Sequence, residues 1–210
     1  FVAGGVVALY DAAADRQRRF LRAPGACKAF RCVAFSPPLG RYIAAGEAGK
    51  EPAALVWEVS TGRCVASLSG GHKYAVEAVA FGGTSSAPSA TSPPLLATLG
   101  DAHDQHLCVW GLEGSGGQLI QRLRVGHSAA ASLSFGAESL VLAGNASSSP
   151  LRVWRVDAET GELTEAPPQR SSTAATAERC VGVAASGEDP RLHYAVSAGG
   201  RLSAFREGRG

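Results

Sequence analysis

One short pattern, apolar–x–Val–Trp–x–apolar, occurs three times, as ALVWEV (54–59), LCVWGL (107–112) and LRVWRV (151–156). VVALYD (6–11) and LSAFRE (202–207) repeat it with Tyr10 and Phe205 in the place of tryptophan. The aromatic positions 10, 57, 110, 154 and 205 are separated by 47, 53, 44 and 51 residues. A chain that repeats one aromatic strand at near-constant spacing is built from one supersecondary unit, and copies of that unit bury their apolar faces against each other.

The segments between the aromatic strands define the rest of the unit. FRCVAFSPPLG (30–40), RYIAAGE (41–47), AALVWEV (53–59) and RCVASLSG (63–70) read as four short strands, the last two joined by the turn Ser60-Thr61-Gly62. The order returns as VEAVAFGG (76–83), LLATLGD (95–101), HLCVWGL (106–112) and QLIQRLRVG (118–126). Shorter versions follow, with ASLSFG, SLVLAGN and LRVWRV, then RCVGVAAS, LHYAVSAG and RLSAFRE. Short strands of this kind, bounded by Gly, Ser and Pro turns, predict an all-β chain. The approximate units are 1–28, 29–71, 72–126, 127–170 and 171–210. GGTSSAPSATSPP (82–94) and EAPPQRSSTAATAER (165–179) lack the pattern, and loops are expected over 84–94 and 165–179.

Composition narrows the function classes. A formal net charge of +2 over 210 residues gives no bulk electrostatic argument for nucleic acid or a membrane surface. No apolar run reaches the roughly 18–20 residues of a membrane helix. The five cysteines form no C-x-x-C pair, and Cys32, Cys64, Cys108 and Cys180 each stand in an apolar strand. They read as small buried hydrophobes in a reducing, intracellular compartment. The sequence also holds no phosphate-cradling G-x-x-x-x-G-K-[ST], no G-x-S-x-G and no H-E-x-x-H. No enzyme, cofactor or small-molecule substrate is expected.

With Gly71-His72 and Gly126-His127 opening two units and Val-Trp closing them, the chain resembles a WD-repeat β-propeller, whose blades are four-stranded antiparallel sheets around a channel. The resemblance implies four to five blades of a larger propeller of about seven, because an open arc leaves its end sheets uncovered. The absence of Met and the abrupt ends favour a segment of a longer chain. In such blades a His before the first strand, a Ser or Thr in the second, an Asp in the turn and the strand-three Trp form a buried hydrogen-bonded chain. In the third unit these are His72, Thr98, Asp104 and Trp110. The second unit has Trp57 but Glu51 at the Asp position, and the fourth has Trp154 and His127 but Ser148. Against this stands a metal reading of GDAHDQH (100–106), in which His103, Asp104 and His106 would be ligands. A strand-entry turn is expected to splay them to different faces.

Gly46, Glu47, Gly49, Pro52, Ala53 and Trp57, then His72-Lys73-Tyr74 with Val76, then His103-Asp104, are similar to segments of the mitogen-activated protein kinase-binding protein 1 and spindle-pole, microcephaly-associated WD-repeat scaffold family. The match fades after about residue 145. It implies a non-catalytic protein-interaction scaffold in the cytoplasm, at the cytoskeleton, spindle pole or centrosome, with a stress-activated kinase module, centrosomal proteins or tubulin as partners. A microtubule-associated or ciliary structural protein is the alternative. DRQRRFLRAPGACKAFR (15–31) places Arg16, Arg18, Arg19, Arg22, Lys28 and Arg31 close in sequence. They read either as a basic interaction face or as a solvated outer strand whose charges discourage edge pairing.

Overall fold

The computed structural model describes residues 2–3, 5–25, 28–37, 40–82, 95–112, 116–126, 132–136, 139–143, 151–157, 160–166, 180–186, 189 and 192–206. Each recurrence of the sequence pattern forms one antiparallel meander, and the described residues hold five. The first comprises β1 (Val2–Ala3), β2 (Val6–Asp11) and β3 (Arg16–Arg22). The second comprises β4 (Phe30–Phe35), β5 (Tyr42–Glu47), β6 (Ala54–Glu58) and β7 (Cys64–Leu68). In the third are β8 (Val76–Gly82), β9 (Leu95–Gly100), β10 (His106–Gly111) and β11 (Gln118–Arg124). The fourth holds β12 (Ser132–Phe135), β13 (Ser139–Ala143), β14 (Leu151–Val156) and β15 (Leu163–Glu165). The fifth holds β16 (Cys180–Ala185), β17 (Leu192–Ser197) and β18 (Leu202–Arg206).

The expected four-stranded unit is therefore complete in the middle three sheets, and the end sheets have three strands among the described residues. Register shows which strand each end sheet lacks. A bulge falls immediately before the aromatic in β2 (Leu9/Tyr10), β6 (Val56/Trp57) and β10 (Val109/Trp110), each time against the following strand. A second bulge opens β4, β8 and β16, at Phe30/Cys32, Val76/Ala78 and Cys180/Gly182. Bulges recur where a strand must bend in the same way in each copy. By both marks, β1–β3 occupy the second to fourth positions of the unit and β16–β18 the first to third.

The sheets stack face to face in chain order. Strands at the inner positions touch in series, β1 on β4, β4 on β8, β8 on β12 and β12 on β16. Central strands are thus buried on both faces, and β5, β6, β9 and β10 lose the polar alternation of a half-exposed sheet. The outermost strands keep their charges, and in β3 only Leu21 is buried. Period 2 assigns each residue to one neighbour. Ile43, Ala45, Leu55 and Trp57, together with Phe30 of their own sheet, pack toward Val7 and Leu21 of the first sheet. Ala44, Ala54 and Val56 pack toward Val76, Leu96, Cys108 and Trp110 of the third sheet. Leu107, Val109, Ala97 and Leu99 then meet Phe135, Leu140 and Trp154. In the second, third and fourth sheets the strand-three tryptophan faces the preceding sheet, which is why it recurs so regularly.

Between the third and fourth strands, the second and fourth sheets share one closing hydrogen bond. Gly62 (φ +73°) and Gly161 (φ +74°) occupy the left-handed region, and their amides donate to the Glu58 and Asp157 carbonyls at 2.7 and 2.8 Å. The strand β15 includes Glu165, and the Ala166 amide donates to the Val153 carbonyl at 2.9 Å. Residues 165 and 166 of the expected loop thus lie in or beside the sheet; 167–179 and 84–94 lie outside the described residues, as do Cys27 and the Asn145-Ala146-Ser147 segment.

Two of the cysteines help to seal the seam between the second and third sheets. The Cys32 thiol donates to the Val76 carbonyl at 3.4 Å and the Cys108 thiol to the Gly71 carbonyl at 3.5 Å. Burial pushes both thiols up to about 12. Alkylation with iodoacetamide at about pH 8, followed by peptide mass mapping, should leave both unmodified until denaturant is added. Labelling of either in the folded chain would contradict the packing of this seam.

Candidate functional site

At one end of the seam between the second and third sheets, three loops converge, and a buried polar chain underlies them. Asp101 starts the β9–β10 turn, where its carboxylate accepts the His103 and Asp104 amides at 3.1 and 3.0 Å. That turn drives the Asp104 side chain inward, where Oδ2 lies 2.6 Å from His72 Nδ1. His72 Nε2 lies 2.8 Å from Thr98 Oγ1, and the Trp110 indole donates to the same oxygen at 2.9 Å. With the imidazole neutral, elementary chemistry fixes the direction of every link. An indole N–H only donates and a carboxylate only accepts. Trp110 therefore donates to Thr98, Thr98 O–H donates to His72 Nε2, and His72 Nδ1–H donates to Asp104. Burial pushes the His72 pKa down, against the opposing pull of Asp104, so the ring is neutral in this chain.

The second oxygen of Asp104 extends the network. Oδ1 lies 3.3 Å from His106 Nδ1 and 3.7 Å from Arg122 Nη2. The turn thus carries His103 outward but leaves Asp104 and His106 adjacent, so it does not separate all three as the strand-entry argument expects. Instead His72 and His106 hydrogen-bond to one carboxylate, and Arg122 forms an ion pair with it. Among the described residues no group of three His, Cys, Asp or Glu is placed to hold a metal ion.

Above this network lies an open cleft of about 670 Å³, lined by Arg31, Gly49, Lys50, Tyr74, Ala75, Asp101 and His103. Its loops are tied together by main-chain contacts. The Lys28 ammonium donates to the Lys50 carbonyl and, at 2.8 Å, to that of Glu51. The Glu51 amide donates to the Lys73 carbonyl at 2.8 Å, and the Asp101 amide to that of Ala75 at 3.0 Å. Tyr74 is 49% exposed and meets His103 edge to face, with ring centroids 6.1 Å apart.

No protein-family model matches the chain. It superposes on a chain of the crystal structure of the mitotic checkpoint complex with a TM-score of 0.66 and 18% identity, covering 98% of this chain and 59% of that one. On the Neurospora crassa Pan2 WD40 domain the TM-score is 0.61 at 13% identity, covering 96% and 56%. The five sheets are blades of a WD-repeat β-propeller. They span between half and two thirds of each matched propeller chain. In sequence, 76 residues are 38% identical to WD repeat-containing protein 62 of Sus scrofa, 36% of this chain but 5% of that protein. WD-repeat propellers are in general protein-interaction scaffolds and typically non-catalytic. No helix among the described residues is long and apolar enough to cross a membrane.

The other blades satisfy their aromatic strands differently. In the second blade Ala45 stands where the third has Thr98, and the Trp57 indole donates across the seam to the Arg22 carbonyl at 3.1 Å. Its ring also packs edge-on against Phe30, with centroids 5.7 Å apart. Glu51 does not enter the interior; it sits exposed in the turn at φ +52°. The buried carboxylate of that loop is Glu47, whose Oε2 accepts the Ala53 amide at 2.9 Å. In the fourth blade Arg152 lies over the Trp154 ring at 4.9 Å and forks onto Glu165, both contacts 2.7 Å, which lowers the Glu165 pKa. His127 and Ser148 lie outside the described residues.

The six basic residues of 15–31 do not share one face. Arg16, Arg18, Arg19 and Arg22 lie on the outer strand β3, where Arg18 pairs with Asp11 at 2.7 Å and Arg19 donates to the Ser60 carbonyl at 3.3 Å. Arg22 lies over Phe20 at 5.9 Å. Lys28 and Arg31 belong to the seam instead, and Arg31 pairs with Glu77 at 3.3 Å. Lys50 and Arg122 escaped the sequence reading, which weighed His106 only as a metal ligand. A signal for Lys50 exists, since all three lysines of the chain, Lys28, Lys50 and Lys73, fall around this cleft and every other cation is arginine.

Proposed function

We propose that the chain is part of a non-catalytic scaffold that organises a kinase-signalling or spindle-pole and centrosome assembly in the cytoplasm. The observation that carries this is the rim of the second and third blades. Three loops are fixed there by main-chain hydrogen bonds over a buried polar network, yet they present Lys50, Lys73, Tyr74 and His103 to solvent. Rigid support beneath exposed, chemically varied loops suits recognition of another protein. The similarity to WD repeat-containing protein 62 supports the signalling and spindle-pole direction. In this reading His72, Thr98, Asp104, Trp110, Trp57 and Trp154 hold the blades, and no cofactor or small molecule takes part. Exposed Arg16, Arg18 and Arg19 on β3 favour a second reading, attachment to acidic microtubule surfaces.

The test is affinity capture from cell extract with an amine crosslinker and mass spectrometry. The three lysines make the readout local. Crosslinks from Lys50 or Lys73 to kinase-module or centrosomal proteins are the expected result. Crosslinks only to tubulin would favour the second reading, and the absence of any reproducible partner would overturn both.

A further inference from the structure

The cleft at the seam of the second and third blades has a chemistry of its own. Arg31 and Lys50 line it, Lys28 and Lys73 stand on the adjoining segments, and these cations are not neutralised alike. Lys28 is committed to two carbonyls and Arg31 leans on Glu77, 3.3 Å away, with about half its side chain still exposed. Lys50 and Lys73 are exposed, and among the described residues neither ammonium has an ion-pair partner. The acidic group lining the cleft, Asp101, already accepts two backbone amides. The remaining polar surface therefore attracts anions, and beside it stands the half-exposed ring of Tyr74, held edge-on by His103.

We infer that this cleft docks an extended acidic peptide, its Asp or Glu carboxylates set against Lys50, Lys73 and Arg31 and a neighbouring apolar side chain laid on Tyr74. An open cleft of about 670 Å³ accommodates a few residues of such a segment rather than a folded domain. Lysine ammoniums act as point charges, which suits single carboxylates spaced along a strand. The network beneath supplies preorganisation. His72 directly precedes Lys73 and Tyr74, and Asp104 directly follows His103, so the His72–Asp104 bond clamps both presenting loops. Little ordering then remains for the peptide to impose. The inference rests on the scaffold reading and names where and by what chemistry that scaffold binds.

Fluorescence anisotropy on the chain with all five blades tests it. The probe is a fluorescein-labelled twelve-residue peptide alternating glutamate with leucine or phenylalanine, read beside its glutamine counterpart. The glutamate peptide should bind, weaken with salt, and lose about tenfold in affinity with Lys50→Glu and again with Tyr74→Ala. Arg63→Glu, the same charge change at the exposed β6–β7 turn, should leave affinity unchanged, and circular dichroism should show all three variants folded. Equal binding of the glutamine peptide, no binding of either, or indifference to Lys50→Glu would overturn the inference. Crosslinked partners that persist in Lys50→Glu and Tyr74→Ala would also overturn it while leaving the scaffold reading in place. Failure of the unmutated chain to capture partners removes the scaffold reading itself.

Discussion

Asp104→Ala should lower the unfolding free energy of the chain by about 3–5 kcal/mol, the range for breaking a buried charged hydrogen-bonded pair by removing one partner. The side chain is 1% exposed, and its loss strands His72 Nδ1–H in a site that water does not reach. It also removes the ion pair with Arg122 and the longer of the two Asp104 contacts of His106. Asp104→Asn retains an acceptor oxygen for His72 and should cost less, about 1–2 kcal/mol. Thr98→Val should fall between them. It keeps the shape of the site while removing both the acceptor for Trp110 and the donor to His72. Urea unfolding followed by Trp fluorescence gives the order, and equal losses for all three variants would show that the chain of bonds does not act as described. The linkage sign provides a second check. Burial holds the folded His72 pKa below the ordinary 6.5, so the unfolded chain takes up its proton first. The stability this ring contributes is whole above pH 6.5 and declines as pH falls from there through the lower folded value. His72→Asn should flatten that part of the stability profile.

Blade number and strand order were legible because the strand-three tryptophans are pinned by packing against the preceding sheet. Tyr10 and Phe205 mark that position where tryptophan is absent. The four bonded positions of the third blade were named by the resemblance to WD-repeat blades, and the four side chains lie in one chain of bonds. The second blade was less legible for a physical reason. With Ala45 in the place of Thr98 there is no hydroxyl to bridge, and Trp57 turns to a carbonyl of the previous blade. A main-chain acceptor leaves no residue signature. Spacing likewise pointed to Glu51, whereas Glu47, at the end of β5, is the carboxylate that caps its own loop. The cleft was hidden because its residues come from three loops that only the sheet stacking brings together.

Gly46→Ala should be among the most damaging single substitutions in the chain, costing about 3 kcal/mol, the upper end for overpacking a filled interior. A Cβ built at Gly46 lies 2.5 Å from Val76 Cγ1, 2.6 Å from Val76 Cβ and 2.7 Å from Cys32 Sγ. The first contact could be relieved by a rotamer change, but the second cannot, since Val76 Cβ is fixed to the β8 backbone. Hence β5 would have to withdraw from β8, opening the seam that Ala44, Val56 and Val76 fill with no exposed surface. Gly182→Ala in β16, where an added Cβ meets nothing within 4 Å, should stay within about 0.5 kcal/mol of the parent. Val76→Ala placed on Gly46→Ala should recover only part of the loss, because its own Cβ remains in the way. The same seam carries Tyr74 two residues before Val76 and Lys50 four residues after Gly46. Gly46→Ala should therefore also weaken the acidic probe peptide in parallel with stability, whereas Lys50→Glu should weaken it with stability unchanged. Thermal unfolding and anisotropy on the same samples separate a seam that holds the cleft open from side chains that make its contacts.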